Sequence, residues 1–306
     1  MQYSLLSRFQ GTLLGAMVGE TLGLASSRQL LPQWASPHIM SQPESTQLYQ
    51  LVKPYAAALI CGGLDLAQCR QPEHLNTLLS PVQVIGGTLP VMLFFHEDLG
   101  KLQQQVCQAV RLWPVPLETQ HCALAVAFAI AQIMREQLNP YTLIPQIVND
   151  LPGSASLRQA LEQVNHLLKQ GAGLDRTQQS LNLQTGITTP DVIIALAFYC
   201  FLSTLENFRL TLTRALRTPD PHLTAMLAGA LSGAYNSSIG IPLEWWLAPG
   251  YQSLPSSLEV ATPKTLQLAI HLMAAWSGVY DPTNAPILVS GSQSPAVAAP
   301  GIIRPR

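Results

Sequence analysis

Three side chains, Glu20, Asp220 and His222, carry the strongest indication of chemistry in this sequence. Carboxylates and imidazoles coordinate divalent cations and transfer protons. Asp220 and His222 flank a proline just before a predicted helix, so Asp220 could instead cap that helix or contact a phosphate or other ligand. Glu20 lies among apolar residues, where a carboxylate either faces solvent at a helix end or lines a pocket. The three residues are therefore weak candidates for a catalytic site.

Glu20 lies in a segment where glycine recurs at every fourth position: Gly11, Gly15, Gly19 and Gly23. Each glycine inside a helix costs up to about 1 kcal/mol relative to alanine, so the row needs a compensating contact. This spacing places the glycines on one helical face, where another backbone or a ligand can approach closely. We predict a tightly crossed helix pair in the core. The alternative is that the helix ends at Gly19–Gly23 and turns there into a site.

Composition limits the classes of protein that this chain can be. Of its 306 residues, 48% are hydrophobic and only 11% are charged, which indicates extensive burial in a core or against partners. The net charge of −1 and the lack of a basic run argue against nucleic acid and membrane surfaces as partners. No segment has the length of a membrane-spanning helix, and the first residues lack a signal-peptide pattern. Five dispersed cysteines without a CxxC pair fit a reducing compartment, so we predict a cytoplasmic protein.

Helical periodicity extends over almost the whole chain, and no segment reads convincingly as a β-strand. After the glycine row comes a polar stretch, Arg28–Gln50, and then a helix over Leu48–Leu66 whose true start Pro54 could mark. Further helices are predicted at Glu118–Gln137, Ala155–Gln170, Asp191–Leu202, Leu205–Leu216 and Leu223–Tyr235. The polar segment Gly171–Pro190 is typical of a long loop.

These elements predict an all-α fold: a single compact multi-helix domain over residues 1–283. Residues 284–306 are rich in proline, alanine and serine, and we expect a disordered tail there. The sequence has no nucleophile elbow, no phosphate-binding loop and no dinucleotide fingerprint, so it shows none of these common enzyme motifs.

Two separated segments carry a family likeness. Arg8–Gly23 (RFQGTLLGAMVGETLG) resembles the opening helix of the ADP-ribosylglycohydrolase family, and Ala228–Tyr235 (AGALSGAY) with Ile241–Trp245 (IPLEW) is similar to its late AGALAGA…IPxxW segment. The resemblance implies an all-α bundle that hydrolyses glycosidic bonds to ADP-ribose. It also implies two divalent cations, magnesium or manganese, held by an early Thr/Ser-Asp-Asp-Thr run and a late Gly-Asp-x-Asp-Thr run.

The chain departs from the family pattern at both runs. Between Ser41 and Leu66 the only acids are Glu44 and Asp65, and they are not adjacent. Counting back from the AGAL motif, Asp220 falls on the first late aspartate and His222 on the second, and leucine replaces the threonine. The resemblance therefore leaves Asp220 as a vestigial ligand. We expect no metal and no other cofactor.

Three functional hypotheses follow. In the first, the protein is a catalytically degenerate family member with a binding or structural role, its partner an ADP-ribose-like ligand or another protein. In the second, it is an active hydrolase of N- or O-glycosidic ADP-ribosyl bonds whose remodelled or single-metal site contains Glu20, Asp220 and His222 with Mg²⁺ or Mn²⁺. In the third, it is an oligomeric or interaction protein that uses apolar surface.

Overall fold

The computed structural model describes residues 3–27, 47–62, 79–150, 154–181, 188–245 and 256–278. Within these ranges every regular element is a helix, which confirms the predicted all-α class. The thirteen α-helices of this described part are α1 Leu5–Ser27, α2 Gln47–Ile60, α3 Pro81–Gly87, α4 Leu89–Phe94, α5 Leu99–Arg111, α6 Glu118–Met134, α7 Leu143–Asp150, α8 Ala155–Lys169, α9 Leu174–Ser180, α10 Pro190–Leu202, α11 Phe208–Ala215, α12 Pro221–Asn236 and α13 Ser256–Ser277. Two 3-10 turns, Ser238–Gly240 and Leu243–Trp245, follow α12.

The centre of the fold is the antiparallel pair α1 and α12. Gly11 of α1 meets Gly233 of α12, and one helical turn further Gly15 meets Gly229. A Cβ atom added at any of these four positions would overlap a backbone carbonyl oxygen of the opposite helix. The prediction of a tightly crossed helix pair is confirmed, and the close backbone contact is the compensation that the glycine row required.

The other helices surround this pair. Helices α2 and α13 pack against one another and α1, whereas α6, α10 and α11 pack against α12. The outer helix α5 is amphipathic and buries Leu102, Val106 and Val110, spaced by four residues along one face. Helix α1 is buried on nearly all sides, as expected of a helix at the centre of a bundle.

Four details of the secondary structure differ from the expectations. Helix α1 continues through Ser27, so the alternative that it ends at Gly19–Gly23 was wrong; burial against α12 offsets the glycines' low helix propensity. Pro54 lies inside α2 and does not mark its start. Helix α9 occupies part of the predicted loop Gly171–Pro190, held by the Thr177 hydroxyl, which donates to the carbonyl of Gly173. Helix α13 was not predicted.

Two of the four described cysteines lie in the core. Cys122 and Cys200 are buried, Cys107 is partly buried and Cys61 is exposed, and none of these four forms a disulfide. Burial raises the pKa of the Cys200 thiol to about 12, so this sulfur is a packing group and not a nucleophile at neutral pH.

Several expectations fall outside the described residues. The early acids Glu44 and Asp65, the boundary at residue 283 and the tail over 284–306 all lie there. Among the helices that are described, none combines the length and apolar character needed to cross a bilayer.

Candidate functional site

Glu20 lies on α1 with only 1% of its surface exposed. Its carboxylate Oε1 accepts a hydrogen bond from the backbone N–H of Leu48, 3.0 Å away, in the first turn of α2. The first N–H groups of a helix lack partners within the helix, and the positive end of its dipole favours a carboxylate there. Glu20 therefore caps a different helix, and the alternative that it faces solvent was wrong.

His222 lies beside Glu20 at the start of α12. Its Nε2 is 3.8 Å from Oε1 of Glu20, and 16% of the imidazole side chain is exposed. Gly23 makes this approach possible, because a Cβ there would lie 2.5 Å from the carbonyl oxygen of Pro221 and 2.6 Å from the Cα of His222. The structure thus brings together two of the three candidate residues, Glu20 and His222.

Asp220, the third candidate residue, has a structural role. It is the N-cap residue of α12, and its Oδ1 accepts a hydrogen bond of 3.0 Å from the backbone N–H of Leu223. The interpretation of Asp220 as a helix cap is confirmed. Leu223, which the resemblance aligns with a threonine of the family, is itself buried and offers no side-chain oxygen.

Apolar side chains pack closely where α2, α3 and α12 meet. Leu48 and Met226 are each 1% exposed. A Cβ added at Gly86 of α3 would meet the Met226 methyl group at 2.8 Å and a methyl group of Leu48 at 3.0 Å. Helices α2, α3 and α12 therefore meet tightly at this end of α1.

Two polar atoms in this cluster lack hydrogen-bond partners. Oε2 of Glu20 and Nε2 of His222 are both buried and make no hydrogen bond. Buried polar groups are satisfied in the large majority of cases, so each exception asks for an explanation. An acid and an imidazole at this separation could share a proton through a small movement, or coordinate one ion together.

The described donor set does not fit a pair of divalent cations. Within the described ranges no three His, Cys, Asp or Glu side chains cluster as metal ligands. Glu20 Oε1 and Asp220 Oδ1 each already accept a backbone N–H. Two divalent charges beside so few carboxylate oxygens would remain largely unneutralised in a buried setting.

The capping role of Asp220 predicts a small and specific stability loss. Asp220→Ala is expected to lower the free energy of unfolding by about 1 kcal/mol, whereas Asp220→Asn, an equally good N-cap, leaves it within a few tenths. Urea unfolding followed by circular dichroism measures both. An asparagine variant as unstable as the alanine variant would show that the charge, and not the cap, is what the fold requires.

Comparison with known proteins gives a family likeness. A model of the family described as ADP-ribosylglycohydrolase matches residues 81–278. A solved structure described as an ADP-ribosylglycohydrolase-related protein complex aligns with a TM-score of 0.58 at 16% sequence identity, covering 89% of this chain and 99% of that one. No match was found among curated proteins. At this identity the structural likeness speaks for the fold alone.

Proposed function

Since this chain belongs to the ADP-ribosylglycohydrolase family, we propose that it is a catalytically degenerate member whose role is binding or structural. One observation carries the proposal: the buried carboxylate of Glu20 is directed at the N-terminus of α2. A helix N-terminus is equivalent to roughly half a positive charge. It gives the carboxylate a favourable partner without a metal ion.

The surroundings of Glu20 support the same proposal. Met226 of α12 and Leu48 of α2 are both buried and would both contact a Cβ at Gly86 of α3, so apolar side chains pack tightly where these helices meet. Asp220, which matches the first aspartate of the family's late run, is engaged in capping α12. The remaining family ligands are replaced by Leu223 and His222. These replacements favour a retained scaffold with lost hydrolysis.

The second candidate function is an active hydrolase with a remodelled or single-metal site. The unpartnered Oε2 of Glu20 and Nε2 of His222 favour it, because unsatisfied buried groups are common where chemistry occurs. In this candidate the pair would hold one Mg²⁺ or Mn²⁺ ion or exchange a proton with an ADP-ribosyl substrate. Asp220 would then contribute a ligand in place of its cap.

A binding role needs a ligand or a partner, and two kinds remain proposals. The family suggests an ADP-ribose-like molecule. A protein partner in the cytoplasm is the other, and the similar solved structure is described as a protein complex. The low charged fraction of 11% suits burial against a partner.

An ADP-ribose release assay tests the proposal. The protein is incubated with ADP-ribosylated protein and Mg²⁺ or Mn²⁺, beside an active hydrolase of the family as positive control. We expect no release above that of the Asp220→Ala variant. Metal-dependent release that Asp220→Ala abolishes and Asp175→Ala, an acid in the first turn of α9, preserves would overturn degeneracy and establish the second candidate.

A further inference from the structure

A polar cleft lies at the opposite end of α1 from Glu20. Its volume is about 490 Å³, within the range of sites for small organic molecules. The residues that give it its chemistry are Tyr3, Arg8, Glu136, Glu206, Tyr235 and Asn236. Arg8 and Glu20 are twelve residues apart, about 18 Å along a helix, so this cleft is separate from the cluster described above.

Arg8 is a fixed cation in the wall of the cleft. Its side chain is 10% exposed, and its two terminal nitrogens donate to the carbonyl of Ile133 at 2.7 Å and to the carboxylate of Glu136 at 2.9 Å. Its Nε–H is buried and has no acceptor. Each terminal nitrogen carries a second N–H beyond the one used in these contacts, so the guanidinium can also donate to an oxygen acceptor in the cleft.

Glu206 supplies an unneutralised negative charge to the cleft. It is exposed and makes no ion pair within the described part of the chain, whereas Glu136 is already paired with Arg8. The negative ends of α6 and α12 also lie here, since Ile133 and Asn236 stand in their last turns. The N-terminus of α1 contributes a partial positive charge to the cleft. The negative charge of Glu206 and the partial negative charges at the C-termini of α6 and α12 are together larger.

Asn236 adds a neutral acceptor. Its amide nitrogen donates to the carbonyls of Leu205 at 2.9 Å and Ser232 at 3.1 Å, which fixes the orientation of the side chain. Its amide oxygen is therefore the atom left for another donor. Tyr3 and Tyr235 also line the cleft, and aromatic rings attract organic cations.

From this arrangement we propose that the cleft binds a small amino acid with a cationic side chain. The side-chain ammonium group of this amino acid would face Glu206 and the tyrosines, and its carboxylate would face the guanidinium of Arg8. This inference goes beyond the proposed function and does not depend on whether the Glu20 cluster is degenerate.

Calorimetric titration of the full chain with L-lysine, and with cadaverine as the same diamine without a carboxylate, tests the proposal. We expect lysine to bind, cadaverine to bind about fivefold more weakly, and Glu206→Gln to weaken lysine binding by about fivefold. Glu162→Gln, at an exposed acid of α8, is the matched control and should leave binding unchanged.

Three results would overturn the proposal. They are the absence of lysine binding at millimolar concentration, lysine binding that Glu206→Gln leaves intact, and cadaverine binding as tight as that of lysine. Because Glu206 is exposed, its glutamine variant is expected to fold, and unchanged circular dichroism confirms that a loss of binding is local.

Discussion

Gly15→Ala is expected to lower the free energy of unfolding by at least about 2 kcal/mol, because its new Cβ atom would overlap the carbonyl oxygen of Gly229. The obstacle is backbone, so it cannot rotate away as a flexible side chain would. The ring of Phe208 closes another direction, with its Cε2 atom 3.1 Å from the same Cβ position. Helices α1 and α12 would have to separate, and their separation would loosen the centre of the bundle.

Gly100→Ala is the matched control for this substitution. Gly100 lies in α5, is exposed, and a Cβ there would meet only the Oδ1 of Asp98 at 3.5 Å. The same change should leave stability unchanged or raise it by up to about 1 kcal/mol, as alanine is the better helix former. Urea unfolding measures both variants. Equal tolerance at the two positions would contradict a backbone contact between α1 and α12.

Gly229→Ala tests the same contact between α1 and α12 from the side of α12. It should destabilise as strongly as Gly15→Ala, because the two carbonyl oxygens face each other's glycine. The double variant should cost less than the sum of the single ones, since one separation of the helices accommodates both methyl groups. Strict additivity would indicate that each glycine is needed for a separate reason.

Glu20→Ala is expected to cost about 2–3 kcal/mol, because it leaves the N–H of Leu48 buried without an acceptor. Glu20→Gln should stay within about 1 kcal/mol of the wild type, because the amide oxygen can accept the same hydrogen bond. The difference in stability between the two variants shows whether position 20 needs only a hydrogen-bond acceptor or also a negative charge. Chemical denaturation of the three proteins measures it.

Glu162→Ala, at an exposed position of α8, provides the baseline for a glutamate lost from the surface and should change stability by less than about 0.5 kcal/mol. Adding EDTA should shift none of the unfolding curves, because under this proposal the folded state binds no metal ion. A wild type that EDTA destabilises, with a Glu20→Gln variant that it does not affect, would instead identify Glu20 as a metal ligand.

The glycine row shows which part of the fold could be predicted from the sequence. A spacing of four defines one face of a helix, and the low helix propensity of glycine requires a close neighbour, so the pairing of α1 was predictable from local rules. That Glu20 and His222 would lie near each other came from the family resemblance. Nothing in the local sequence around either residue indicates it.

Other features depended on contacts that the sequence does not encode locally. Glu20 binds a backbone N–H of α2, and a backbone group carries no residue-type signal. The short helix α9 was missed because it is polar, and its one buried side chain, Thr177, contributes no apolar period. The cleft at Arg8 had a single sequence signal, the one basic residue of α1.

Calorimetric titration of the purified protein with Mn²⁺, alone and then with ADP-ribose, tests the central claim most directly. A scaffold in which a helix N-terminus binds one oxygen of the buried Glu20 carboxylate predicts no metal binding or millimolar binding only, and no metal-dependent gain in ADP-ribose affinity. Micromolar binding of two Mn²⁺ ions would contradict the proposed degeneracy and indicate an active two-metal hydrolase.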